Sequence, residues 1–225
     1  MKILAIDTSG QSISCAITDN QTILAELFRR TGAVHSRALL PLLDQALAQT
    51  GLSVQDMDAL ACVAGPGSFT GVRIGVCTLK GLAMGANKPC AAVNTLDCLR
   101  ENLPFETRVC PILDARRGEV YTAVYERGAR VCGPDALNVE ELAARLAGKD
   151  TVFLGDGVPV YKEKLTELLG DHALFAPPQC GQTRAVCAAL IAARTPEAWA
   201  SAAALDAFYL RKPQAEREYE IRHNA

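Results

Sequence analysis

The chain has 225 residues, 49% of them apolar and 21% charged, which excludes a disordered, low-complexity or collagen-like polypeptide because enough apolar surface exists to offset chain entropy. Lys and Arg number 23 against 25 Asp and Glu, so a net charge of -2 supplies no bulk basic field for nucleic acid, while a local patch stays open. No apolar run approaches the ~18–20 residues that cross a bilayer, and nine cysteines without a C-x-x-C pair point to a reducing cytoplasm rather than a disulfide scaffold or zinc site.

Ile3 to Ile6 is a continuous apolar run closed by Asp7, and Ile13, Cys15 and Ile17 alternate after a polar turn, which predicts a buried strand paired with a second one. Thr22 to Phe28 supplies a third strand. Leu39, Leu43 and Leu47 recur every fourth position in a helix over 36–49, with Ser36 as its N-cap and Pro41 near its first turn. Leu60 to Ala64 reads as a strand entering the loop Gly65-Pro66-Gly67-Ser68-Phe69-Thr70-Gly71, and Val72 to Met84 as a helix. Gly71, Gly75, Gly81 and Gly85 in or beside that helix are costly, roughly 1 kcal/mol each in its interior relative to Ala, so another backbone is expected close by, either the chain's own sheet or a partner helix. Cys90 to Val93 follows as a strand and Thr95 to Arg100 as a helix start.

The second half begins the same pattern again. Val109 to Leu113 ends at Asp114, and Val120, Thr122 and Val124 stand at the same offsets from Asp114 as Ile13, Cys15 and Ile17 do from Asp7. A repeat this long suits two similar lobes, drawn at 1–103 and 104–225 and packed directly together. Helices are predicted over 137–146, 161–169, 185–193 and 196–209, the last started by Thr195-Pro196-Glu197 and packing back toward the first lobe. Val152 to Leu154 forms a strand before Gly155-Asp156-Gly157, and the charged tail is expected to be mobile beyond Arg217.

The glycine loop is the densest chemical signal, since glycines let a backbone approach a ligand and the following helix start favours an anion. It is neither a Walker A loop nor the dinucleotide fingerprint, and it serves equally as a tight turn seating a helix on a sheet. Asp7, Thr8 and Ser9 with Gly65, Gly67, Ser68 and Thr70 form a candidate weak nucleotide site, with a carboxylate holding magnesium through water. Asp7 and Asp114 each read equally as Asx turns. His35, His172 and His223 are dispersed, which draws no helical metal site, and no nucleophile, base and oxyanion hole come together.

In order, Ile3-Leu4-Ala5-Ile6-Asp7-Thr8-Ser9, His35-Ser36 before Leu39-Leu40-Pro41, the run Gly65 to Gly75, Asp114-Ala115-Arg116 with Glu119-Val120-Tyr121, and Tyr209-Leu210-Arg211 resemble the TsaB (YeaZ) family over essentially the whole chain. The resemblance implies an α/β, actin-like and Hsp70-like (ASKHA) fold of two lobes, each a mixed sheet with helices. It also implies a non-catalytic subunit of the machinery that makes threonylcarbamoyladenosine in tRNA, bound to the transferase TsaD and joined by the ATPase TsaE, meeting tRNA only within that complex, and forming a homodimer when alone. TsaD carries its metal on a His-x-x-x-His pair; Thr95 and Leu99 stand at the matching places here, so no metal and no catalytic residue is expected. No cofactor is required on this reading, with ADP or ATP and magnesium left as a weak ligand. The partner interface is expected on the first-lobe helices at His35, Leu39, Leu43, Val72, Gly75, Val76, Leu79 and Ala83. Rival readings are a phosphotransferase of the actin-like superfamily, revealed by ATP turnover, a glycoprotease-like peptidase, and a stand-alone tRNA-binding module, revealed by salt-dependent filter binding.

Overall fold

The computed structural model describes residues 1–30, 35–103 and 107–211, so the charged tail from 212 on lies outside the described residues. The chain passes through one succession of elements twice. β1 (Lys2–Asp7), β2 (Ser12–Asp19), β3 (Thr22–Arg30), α1 (His35–Thr50), β4 (Ala59–Gly65), α2 (Phe69–Ala86), β5 (Cys90–Asn94) and α3 (Thr95–Glu101) come first. β6 (Val109–Asp114), β7 (Glu119–Glu126), β8 (Ala129–Asn138), α4 (Val139–Leu146), β9 (Thr151–Leu154), α5 (Val158–Leu169), β10 (Ala173–Phe175) and α6 (Ala185–Arg194) repeat it. The first sheet has the order β3-β2-β1-β4-β5, and the second, read from its β8 edge, β8-β7-β6-β9-β10, so corresponding strands occupy corresponding places. In each, the first three strands are antiparallel and the last two join in parallel. This is the two-lobed mixed-sheet architecture that the repeated strand pattern predicts.

β1 is an unbroken apolar run because both of its faces are covered. Leu4 and Ile6 point to the side packed by α1 and α2, whereas Ile3 and Ala5 point to the side packed by α6. α6 follows β10 in the chain, yet it lies on the first sheet, where Ala185, Ala188, Ala189 and Ala192 allow close approach. Conversely α3, which follows β5, sends Leu96 and Leu99 into a cluster with Val109, Leu113, Tyr125 and Leu154 of the second sheet. The two halves thus exchange their last helices.

α2 starts where Ser68 Oγ accepts the Gly71 N–H at 3.2 Å, and ends at Asn87, whose φ of 53° places it in the left-handed region. The start lies three residues before the predicted one. Ser36 is no N-cap, since α1 already begins at His35. β8 and β10 escape the sequence reading, being short or broken in alternation, with Gly133-Pro134 inside β8.

The predicted helix over 196–209 does not form. Short 3₁₀ turns occupy Pro196–Ala198 and Ala202–Ala204, and the rest is extended. Ala200 exchanges both backbone hydrogen bonds with Cys90 at 2.8 Å, and Phe208 N–H bonds Ala64 O at 2.7 Å. Those groups are therefore spent on the first sheet, and tertiary pairing overrides alanine's helix propensity.

Most of the side chains expected at the partner interface are covered within the chain itself. Leu39, Leu43, Val72, Val76, Leu79 and Ala83 are each 5% exposed or less and pack in one cluster with Leu4, Ile6, Cys15 and Leu60. Gly75 is buried against Thr8. These residues cover the chain's own sheet, and the outward faces of the same helices present Leu40, Cys77, Gly81, Met84 and Gly85 instead. Leu79→Ala is expected to lower unfolding free energy by about 2–5 kcal/mol in urea titrations, and Val76→Arg to abolish the native circular-dichroism signal, whereas Met84→Arg leaves the folded chain within about 0.5 kcal/mol of wild type.

Candidate functional site

A polar cleft of about 690 Å³ separates the two sheets at the ends of β1 and β6. One wall is the β1–β2 turn (Ser9, Gly10, Gln11, Ser12), His35, Gly67 and Ser68; the other is Leu113, Asp114, Ala115, Arg116, Tyr121, Asp156 and Val160, with Gly181, Gln182 and Thr183 between them. Of the seven residues expected at a nucleotide site, Ser9, Gly67 and Ser68 line this cleft, whereas Asp7, Thr8, Gly65 and Thr70 do not.

The glycine loop is explained by backbone approach within the chain. A Cβ on Gly67 would collide with the Ser9 carbonyl oxygen, one on Gly71 with the Thr8 carbonyl oxygen, and one on Gly75 with Thr8 Oγ1. Gly65, at φ 115°, would likewise meet the Phe208 carbonyl oxygen. Thr8 is fully buried and its hydroxyl donates to Gly71 O at 2.7 Å, which ties β1 to the first turn of α2. Ser68 N–H bonds Ser9 O at 2.7 Å, and Ser9 N–H bonds Asp7 Oδ1 at 2.8 Å as an Asx turn. On the facing wall Arg116 N–H bonds Asp114 Oδ1 at 2.9 Å.

These bonds decide what the loop does. A phosphate cradle presents free N–H groups, but those of Ser9, Ser68, Gly71 and Arg116 are all engaged within the chain. Within the loop the Ser68 and Gly71 N–H groups are thus spent on the chain itself, and the tight-turn reading accounts for the glycines. Among the described residues no three His, Cys, Asp or Glu side chains converge to hold a metal.

Asp7 is 1% exposed, and burial pushes its carboxyl up to about 6, opposed by the hydrogen bonds of Ser9 and the nearby His35. Among the described residues, its Oδ2 and the Ser9 Oγ meet no hydrogen-bond partner within bonding geometry. His35 sits on the cleft, with Nε2 2.9 Å from Gly10 O. The sequence reading missed Asp156, whose carboxylate accepts the Asp114 N–H at 3.0 Å and whose carboxyl is raised chiefly by burial. The repeat would have found it: Gly155-Asp156-Gly157 follows β9 as Gly65-Pro66-Gly67 ends β4, and Cβ atoms on both of its glycines would press on the Ile112 carbonyl oxygen. Tyr161 also escaped notice; its hydroxyl donates to Asp114 Oδ1 at 3.1 Å.

Known proteins resemble the chain over most of its length. The profile of a family described as TsaD, tRNA N6-adenosine threonylcarbamoyltransferase, matches residues 28–219. The tRNA threonylcarbamoyladenosine biosynthesis protein TsaB of Bacillus subtilis is 34% identical over 177 residues, covering 76% of this chain and 77% of that protein. The structure of YeaZ from Pseudomonas aeruginosa superposes with a TM-score of 0.77 at 27% identity, covering 93% of this chain and 99% of that one. Component A of (R)-2-hydroxyglutaryl-CoA dehydratase from Acidaminococcus fermentans, at 15% identity and a TM-score of 0.52 over 88% of this chain and 99% of its own, shares the fold.

The buried Asp7 has a pH signature. The unfolded chain releases this proton near 3.8 and the folded chain near 6, so burial of the charge opposes folding as pH rises through about 6 and costs nothing below 3.8. Asp7→Asn is expected to be more stable than wild type at pH 7.5, by at most about 3 kcal/mol, and to lose that advantage by pH 4; paired urea titrations at the two pH values measure the difference.

Proposed function

The chain belongs to the TsaB (YeaZ) family of tRNA threonylcarbamoyladenosine biosynthesis proteins, and from that premise we propose that it is a non-catalytic scaffold, required for threonylcarbamoyl transfer to the adenosine beside the anticodon, that binds TsaD and is joined by TsaE. It works in the cytoplasm, meets tRNA within that complex, needs no cofactor of its own, and pairs with a second copy when TsaD is absent. No helix among the described residues is long and apolar enough to cross a membrane.

α3 carries the reading. Thr95 and Leu99, at the places of the transferase's two histidines, are 1% and 0% exposed. Leu99 packs against Val109, Leu113 and Tyr125. Neither side chain has an imidazole nitrogen, and this turn of helix serves packing between the lobes. Against the rival phosphotransferase reading stand the Ser68 and Gly71 N–H groups of the loop, already bonded within the chain, and against the peptidase reading a sequence that brings no nucleophile, base and oxyanion hole together.

The outward face of α1 and α2 supports the partner contact. Leu40 is 49% exposed and Met84 66%. Gly71 and Gly75 face Thr8, but Cβ atoms on Gly81 and Gly85 would meet nothing within 4 Å among the described residues. An interior helix glycine costs about 1 kcal/mol relative to Ala, and nothing within the described chain compensates at these two positions. A partner helix approaching closely does, whether from TsaD or from a second copy.

Two experiments test this. Purified chain alone should leave a tRNA transcript unmodified, TsaD with TsaE should modify it only when the chain is added, and transfer by the lone chain overturns the reading. Gly81→Leu with Gly85→Leu should stabilise the isolated chain by roughly 1–2 kcal/mol while abolishing co-elution with TsaD in size-exclusion chromatography; undiminished co-elution moves the interface elsewhere.

A further inference from the structure

The segment after Leu205 crosses from the first sheet to the second and assembles a basic, aromatic ridge. Tyr209 stacks on Phe69 with ring centroids 5.1 Å apart, and Arg73 lies over the Phe69 ring at 3.8 Å while its Nε donates to Tyr209 Oη at 3.1 Å. Phe208 and Tyr209 are 39% and 36% exposed. Two residues on, Arg211 bonds Ala115 O at 3.2 Å, pairs with Glu119 and lies over the Tyr121 ring. It thereby braces the β6–β7 turn against the segment.

That turn is strained. Arg116 and Arg117 have φ of 65° and 58°, a left-handed region that an ordinary side chain enters at roughly 1–2 kcal/mol each. Its frame is fixed by Asp114 Oδ1 on the Arg116 N–H, by Tyr161 on the same carboxylate, and by Ala115 N–H on Glu119 O. The strained backbone holds both arginines outward: the Arg116 side chain is 82% exposed, and Arg117 is exposed with no ion pair among the described residues. Asp114 pairs with Arg116 and Glu119 with Arg211, and among the described residues no carboxylate pairs with Arg73 or Arg117.

We propose that this ridge is an RNA-contacting surface, on which Arg116 and Arg117 meet backbone phosphates and Tyr209, with Phe208, stacks an unpaired base. Exposed arginines interleaved with aromatic rings match single-stranded or looped RNA, whose phosphates and base faces are both accessible. The inference rests on the reading of the chain as part of a tRNA-modifying complex, and it assigns this subunit a direct share of the contact.

The experiment uses the chain assembled with TsaD and an unmodified tRNA transcript, with affinity followed by fluorescence anisotropy across a salt series. Arg116→Asn with Arg117→Asn keeps a residue that tolerates the left-handed backbone. It is expected to weaken binding about 10-fold and to lower the salt slope by about 2, with Lys at both positions restoring the slope. Tyr209→Ala should weaken binding about 10-fold at unchanged slope, and Tyr209→Phe should bind as wild type. Unchanged affinity and slope in variants that still co-elute with TsaD overturn the ridge. Loss of TsaD or TsaE association at unchanged RNA affinity makes it a protein contact and overturns the proposal equally. Failure of the wild-type chain to join TsaD or restore modification overturns the functional reading itself, a result the RNA titration does not mimic.

Discussion

Each sheet is closed on one face by a helix that the other half of the chain delivers. α6 covers Ile3, Ala5, Ala16 and Ala61 of the first sheet, and α3 buries Leu96 and Leu99 against the second. Neither half alone seals its core, so the lobes are coupled by burial of apolar surface, the dominant favourable contribution to folding. The cleft then has fixed walls because its two hairpin turns hang from sheets locked together at their backs. Tyr125 strengthens the lock, its hydroxyl donating to Asp97 of α3 at 2.6 Å.

Within that frame the end of β1 acts as an anchor for α2. Thr8 donates one side-chain bond to Gly71 O, its carbonyl lies against Gly71 and its hydroxyl against Gly75, and the Ser9 carbonyl receives the Ser68 N–H. A motif that resembles a ligand loop is consumed in holding a helix against a strand. The same helix that is anchored inward by Gly71 and Gly75 presents Gly81 and Gly85 outward.

Much of this was legible in the residues. Continuous apolar runs ending in Asp7 and Asp114 marked the two central strands, and the matched spacing of the alternating sets that follow revealed the duplication. The glycine spacing foretold close backbone approach, but not which glycines faced inward. Leu39, Leu43, Val76 and Leu79 pack on the chain's own sheet, since a stripe at helical period reports burial without saying against what. The segment over 196–209 carried good helix signals, and the pairing of Ala200 with Cys90 and of Phe208 with Ala64, each more than 100 residues earlier in sequence, decides otherwise. Asp156 was hidden because its role depends on a distant N–H, that of Asp114.

The exchange of closing helices also orders events during biosynthesis. A nascent chain that has emerged as far as β5 already possesses all five strands of the first sheet, yet the face bearing Ile3, Ala5 and Ala61 stays bare until residues 185–194 leave the ribosome. Amino-terminal domains commonly fold as units while translation continues; this one must wait for α6, about 90 residues after its last strand, and premature termination before α6 leaves a sticky, unfinished surface for chaperones to shield.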